Sequence, residues 1–383
     1  MSGPGGFQIL EIGNHHFAKT RMPGATTLVW TWGKPLGDHV EHVTPTLFSL
    51  WSILWRLLRR RDDLVIVYVE QWAPWHWKHL RRIVGWRPVR TALRLFFIQF
   101  LRVLPRPRRL MVVDLTEWGF IHGYNEFLLD KCDVWFKREL PLDRWRVFRR
   151  ASGGGYPGAR FRRNARNQER LARIRPLSLG CTATAETAAV FPAKTSDVFV
   201  AAMVDGSSTL RAEGLEQLRA LREQGVAVDI AEDRLAPVAF QARMAQAWLT
   251  WSPHGYGWDC FRHYEAPLAL SVPVMSTPTI VRQNPLLEGE HGLYYAPDDP
   301  TDLARVVRAA LADKPKLQRM ALAARAHVAS HHLWPDRIEG LIGEAMGAEQ
   351  VPAVLPTPAA EEPARPPGAA VPAPRPALSG GVA

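Results

Sequence analysis

The chain has 383 residues, of which 47% are hydrophobic and 22% charged, and it carries a net charge of +11. That is enough chain for two hydrophobic cores and too apolar a composition for a disordered protein. No run of about 18 uninterrupted apolar residues is present, which argues against a membrane-spanning helix.

The opening residues alternate apolar segments with turns. QILEIG and TTLVWTWG read as strands. Residues 45–61, PTLFSLWSILWRLLRRR, place apolar side chains at 47, 50, 51, 54, 57 and 58, which is helical spacing. DDLVIVYVEQW (62–72) is a β-branched run that reads as a buried parallel strand. Residues 73–109 form two Trp- and Arg-rich helical segments. PRRLMVVDLTEW (107–118) and CDVWFKREL (132–140) give two more buried strands, so alternating helix and strand predict a doubly wound α/β domain. Residues 151–175 read as a mobile basic crossover. SDVFVAAM (196–203) opens a second domain, followed by a helix ending at Gly225, a strand at 226–232 and a helical VAFQARMAQAW. From 349 to 383 the chain is rich in Pro and Ala and predicts a disordered tail. The expected domains are 1–175, 176–348 and the tail 349–383.

Charge divides the same way. Residues 1–175 hold 31 Lys and Arg against 14 Asp and Glu, whereas residues 176–383 hold 17 against 23. The basic half also holds eleven of the fifteen tryptophans. Arg beside Trp suits an anionic membrane surface or a nucleic acid. The chain carries no nucleic-acid-binding signature, and its second half is acidic, so the membrane is favoured. Trp75, Trp77, Arg81, Arg82, Arg90 and Arg94 are the residues that point most directly to a leaflet. Cys132, Cys181 and Cys260 have no metal-ligand spacing and suit a reducing compartment. MSGPGGFQIL lacks a signal-peptide profile. The expected location is cytoplasmic, peripheral on the inner face of the membrane.

The most informative stretch runs from Trp251 to Tyr295: a strand end, the turn His254-Gly255-Tyr256-Gly257, a helix bearing Arg262, His263 and Glu265, and a buried strand from Pro273. Glycines admit close backbone approach, a helix start offers N–H groups to an anion, and a later carboxylate can hold ribose hydroxyls. The combination suits a nucleoside diphosphate carrying a sugar.

Ser252, Pro253, Gly255, Gly257, Arg262, Glu265, Ala266, Pro273 and Val274 resemble the donor-binding half of GT-B glycosyltransferases, in the group 1 and exostosin-like branches. The resemblance covers about residues 195–340. It implies two Rossmann-like domains facing a cleft, with transfer of a sugar from a nucleoside-diphosphate sugar to a glycan or lipid-linked acceptor. No metal or other cofactor is expected. In that resemblance Glu265 holds donor hydroxyls, Arg262 neutralises the departing diphosphate, and Arg211 is a second cation after the first strand of the domain. His254, Gly255, Tyr256, Gly257 and His263 would line the donor. Lys137 and Arg138, in FKREL, are candidates to face its phosphates. Asp114, Glu117 and His122 follow a strand end, and Asp114 is the candidate general base, with His122 the alternative. Many relatives carry two glutamates spaced E-x7-E. Here Gly257 stands eight residues before Glu265, and aligning the glycines puts His254 in the first glutamate's place. That departure leaves the stereochemical outcome open. It also keeps a second reading open, a non-catalytic relative that binds nucleotide or glycan, or scaffolds a membrane complex.

Overall fold

The computed structural model describes residues 7–13, 25–30, 40–44, 46–69, 98–149, 163–181, 190–201 and 209–347. The expected tail, most of the second Trp/Arg segment (70–97) and part of the basic crossover (150–162) lie outside them.

Two parallel sheets organise the molecule. The first runs β3-β2-β1-β4-β5-β6-β7, built from β1 (Phe7–Ile12), β2 (Ala25–Trp30), β3 (Val40–Val43), β4 (Leu64–Tyr68), β5 (Leu110–Asp114), β6 (Val134–Lys137) and β7 (Ile174–Pro176). Its central strands β4 and β5 read as continuous apolar runs because both faces are covered. Alternate residues sort to opposite sides: Leu10, Ile12, Val65, Val67, Val112 and Trp135 face one core. Ile9, Leu64, Ile66, Tyr68, Val113 and Phe136 face the other. Helix α1 (Leu47–Leu58) packs Ile53 and Leu57 into the first of these cores. A capping box starts it: Ser49 N–H donates to Thr46 Oγ1 at 3.0 Å, and Thr46 N–H donates to Ser49 Oγ at 2.7 Å.

The second sheet runs β12-β11-β10-β8-β9, from β8 (Ser196–Val200), β9 (Val228–Ile230), β10 (Ala247–Ser252), β11 (Val272–Ser276) and β12 (Leu293–Tyr295). Around it lie α3 (Thr209–Glu223), α4 (Pro237–Ala245), α5 (Phe261–Leu268), α6 (Asp302–Leu311) and α7 (Lys314–His331). Gly214 lets α3 close on the sheet, since a Cβ there would lie 2.5 Å from the Trp251 indole.

Three features differ from the sequence expectation. VEHV forms β3, an edge strand too short and polar to stand out. The basic crossover contains α2 (Ala165–Ala172), whose Arg170 pairs with Asp130 at 2.6 Å and Glu126 at 3.1 Å, and then β7. The last helix, α8 (Trp334–Ala345), lies inside the expected second domain by sequence but packs on the first sheet, with Ile338 and Leu341 against Ile9, Leu64 and Ile66. The chain crosses between the sheets at 177–181 and returns at 333, and the two passes are bonded: Cys181 N–H to His332 O at 2.9 Å, Trp334 N–H to Cys181 O at 3.2 Å.

Leu341→Ala should lower stability by about 2–5 kcal/mol, the usual range for emptying a buried leucine site. Urea unfolding followed by tryptophan fluorescence measures it, and the lost contact lies on the first sheet rather than the second.

Candidate functional site

In the second sheet the strand order reverses between β8 and β10, the first and third strands of that domain in sequence. Open α/β sheets bind ligands outside the carboxyl ends of strands at such a switch point. The loop leaving β10 and the helices that follow β8 and β10 carry most of the residues singled out from sequence. Arg211, in the first turn of α3, donates through Nε to the His254 carbonyl at 2.8 Å. Arg262 donates through Nη1 to the Ala201 carbonyl, just past β8, at 2.6 Å. Each arginine therefore reaches across the reversal, one from each side. Glu265 lies on the same helix as Arg262; burial raises its pKa and the Arg262 charge opposes that rise.

The loop between β10 and α5 is held from within. His254 Nδ1 lies 3.0 Å from Ser276 Oγ at the end of β11, and its pKa is lowered by burial and then by Arg211. Gly255 N–H donates to Gly257 O at 2.9 Å. A Cβ on Gly255 would sit 3.0 Å from Arg211 Nη2, and one on Gly257 would sit 2.4 Å from Glu139 Oε1. The two glycines thus admit a guanidinium on one side and a carboxylate on the other. Tyr256, between them, is exposed.

His263 faces inward. Its Nδ1 lies 2.7 Å from Ser252 Oγ and its Nε2 lies 3.0 Å from the Trp258 carbonyl. A carbonyl only accepts, so Nε2 carries the proton and Nδ1 accepts from the serine. Burial pushes its pKa down to about 3. It is a neutral strut under the loop, with both nitrogens engaged inside the fold.

Across the cleft the segment after β6 meets this loop. Trp258 N–H donates to Glu139 Oε2 at 2.8 Å and Asp259 N–H to Glu139 Oε1 at 2.9 Å. Arg138 donates to the Asp259 carbonyl, and its guanidinium lies 3.5 Å from Glu139 and 3.8 Å from Glu117. Asp259 is buried, accepting from Tyr264 Oη at 2.6 Å and from the Leu179 amide. Burial first, and then Asp259, push the Glu139 pKa up to about 7, against the pull of Arg138 and the two amides. Next along, Val281 N–H donates to Leu140 O at 2.7 Å, and Pro141 bridges Ile280. The carboxyl edges of the two sheets therefore face each other.

Lys137 and Asp114 form a buried ion pair, 2.9 Å apart and 0% and 2% exposed, and Asp114 also accepts from Thr116 Oγ1 at 2.6 Å. Both carboxylate oxygens of Asp114 are thereby engaged, and the pair joins β5 to β6. His122 stacks on Tyr124 with centroids 5.0 Å apart. In the first sheet the order reverses between β1 and β4, and the segments after both strands lie outside the described residues. So do Trp75, Trp77, Arg81, Arg82, Arg90 and Arg94.

Sequence reasoning took FKREL for its two cations. The structure gives the interdomain contact to Glu139 together with Arg138, and finds Asp259 where no motif had marked it. The available signal was WDC itself, an aspartate between a tryptophan and a cysteine where a solvated loop would be expected.

No protein-family model matches the sequence, and no curated protein matches it. Solved structures do. A glycosyltransferase from Rickettsia africae superposes with a TM-score of 0.54 over 90% of this chain and 100% of its own, at 8% identity. The fold is GT-B. Sucrose-phosphate synthase from Thermosynechococcus elongatus follows at 0.49, with 12% identity over 89% of this chain and 99% of its own. Anabaena HepE, in complex with UDP and glucose, gives 0.46, with 13% identity over 88% and 100%. At such identities the likeness is one of fold.

Gly257→Ala should push the loop off Glu139, because the new methyl would collide with backbone-anchored carboxylate oxygens. The expected readout is a lower unfolding midpoint together with faster amide exchange at Trp258 and Asp259. His263 gives a pH dependence of known sign. Its folded pKa is below its unfolded value of about 6.5, so the unfolded chain takes up the proton first. The contribution is complete above pH 6.5 and is lost as pH falls toward 3. Thermal midpoints should drop below pH 6.5, and His263→Asn should flatten part of that slope.

Proposed function

We propose that the protein is a glycosyltransferase, moving a sugar from a nucleoside-diphosphate sugar to a glycan or lipid-linked acceptor without a metal ion. The observation that carries this is the β8/β10 reversal, where Arg211 and Arg262 cross between strand ends beside the Gly255-Tyr256-Gly257 turn and Glu265. A departing nucleoside diphosphate develops negative charge as the glycosidic carbon leaves it. Fixed cations at that position stabilise the transition state more than the ground state.

In this reading Arg262 and Arg211 hold the diphosphate, the turn from His254 to Gly257 lines it, and Glu265 accepts hydroxyl groups of the donor. His263 acts from behind by fixing the loop. Arg138 and Glu139 set the distance between the loop and the first domain, so they position the donor rather than touch it. Lys137 and Asp114 hold β5 and β6 in register beneath that contact. The acceptor enters from the first domain. The shared GT-B fold of the Rickettsia africae glycosyltransferase supports the same assignment.

The test is thermal shift and donor hydrolysis with a panel of UDP-, GDP-, ADP-, TDP- and CMP-sugars, with and without EDTA. One nucleotide class should stabilise the protein whether or not EDTA is present. Glu265→Ala should abolish that shift. Arg262→Ala should lower turnover by about 10²–10³-fold, the usual effect of removing one oriented charge-stabilising group. Stabilisation without turnover of any donor would instead favour a nucleotide-binding, non-catalytic protein.

A further inference from the structure

Helix α1 has two apolar faces. One holds Leu50, Ile53, Leu54 and Leu57 against the first sheet. The other is a stripe of Phe48, Trp51, Trp55 and Leu58, with exposures of 86%, 70%, 45% and 49%. Spacings of three, four and three residues put these four side chains in one line along the helix. Water-facing large apolar side chains in a continuous row are costly, and such patches mark interaction surfaces.

Within the helix and directly after it the charges are of one sign, while on its other side Glu41 of β3 is exposed. Residues 47–58 contain no acidic residue. Arg59, Arg60 and Arg61 follow at the end of the helix and are exposed, with the Arg59 guanidinium 4.4 Å above the Trp55 ring. The nearest acids in sequence are taken: Asp62 by Arg56 at 2.5 Å, and Asp63 by the Gln8 amide at 2.9 Å and Arg108 at 3.2 Å.

We propose that this stripe docks the protein on an anionic lipid leaflet, with Phe48, Trp51 and Trp55 entering the interfacial layer and Arg59–Arg61 meeting the headgroups. Tryptophan and phenylalanine over a cationic rim match the amphipathic chemistry of that layer. A second copy of the chain fits less well. Four side chains of this size expose on the order of 500 Å², short of the ~800 Å² per partner of a stable interface. The arginines of two copies would also repel. No helix among the described residues is long and apolar enough to cross a membrane, so attachment through this face would be peripheral.

The stripe also has a direction. All strands of the first sheet are parallel, so Val43 at the end of β3 lies on the carboxyl edge, and α1 begins there at Leu47. Phe48 and Trp51 are therefore at the cleft end of the helix. Docking by this face brings the acceptor side of the cleft to the leaflet, which suits a lipid-linked acceptor. That last step rests on the glycosyltransferase reading; the docking itself does not.

Flotation with phosphatidylcholine vesicles, with and without phosphatidylglycerol, tests the docking and needs no donor. The full chain should float with the anionic vesicles and not with phosphatidylcholine alone, and added salt should weaken binding. The triple change Phe48→Ser, Trp51→Ser, Trp55→Ser should weaken binding at least tenfold while leaving the nucleotide thermal shift unchanged. Trp51→Ser alone should give an intermediate loss if the triple variant does not fold. Arg59→Gln, Arg60→Gln, Arg61→Gln should remove the preference for anionic lipid. Wild-type protein that stays off anionic vesicles would overturn the proposal, and so would an unchanged Trp51→Ser variant. A dimer seen by ultracentrifugation and lost in Trp51→Ser would give the stripe to a second copy and also overturn it.

Discussion

One carboxylate sets how the loop of the second sheet sits against the first, where the two halves of the molecule face each other. Glu139 leaves the end of β6 and takes the amides of Trp258 and Asp259, which belong to the loop between β10 and α5. Two N–H groups converging on one buried carboxylate fix both distance and direction, and they do so only while Gly257 offers no side chain. The other features of the loop follow from that constraint. Asp259 turns inward to Tyr264 and the Leu179 amide, Trp258 lies over His263, and Arg138 closes the space beside the Asp259 carbonyl. The loop between β10 and α5 is therefore a shape imposed jointly by both sheets' domains.

The molecule's buried and half-buried cations fall into two groups by what they bind. Lys137 with Asp114, and Arg170 with Asp130 and Glu126, join neighbouring elements inside the first domain. Arg337 donates to the Ser178 carbonyl at 3.0 Å and secures the crossing between domains. Arg211 and Arg262 instead donate to backbone carbonyls just past strand ends, and the Arg262 charge also acts on Glu265.

Most of the second domain was legible because its signals are local. The run from Ser252 to Val274 carries strand, turn, helix and strand in one short piece, and the structure reproduces that order. The first domain's buried strands were legible for the same reason, as β-branched runs covered on both sides. What escaped were relations between distant residues. Nothing in IEGLIGEA says that Ile338 and Leu341 pack on Ile9 and Leu64 rather than on nearer strands. His263 looks like a ligand group in RHYE, and only its two internal partners show it to be a strut. In α1 the apolar count was right but its meaning was mixed, since Leu50, Leu54 and Leu57 face the core while Trp51 and Leu58 face water.

The return of the last helix has a consequence for biosynthesis. Strands β1 to β6 are complete once Lys137 has been made, yet the sheet face that holds Ile9, Ile66 and Val113 is covered by residues 334–345. At ribosomal speeds of about 5–20 residues per second, that apolar face waits roughly 10–40 s for its cover. The first domain to be synthesised is thus among the last to be finished, and until then its exposed face offers a hold for chaperones.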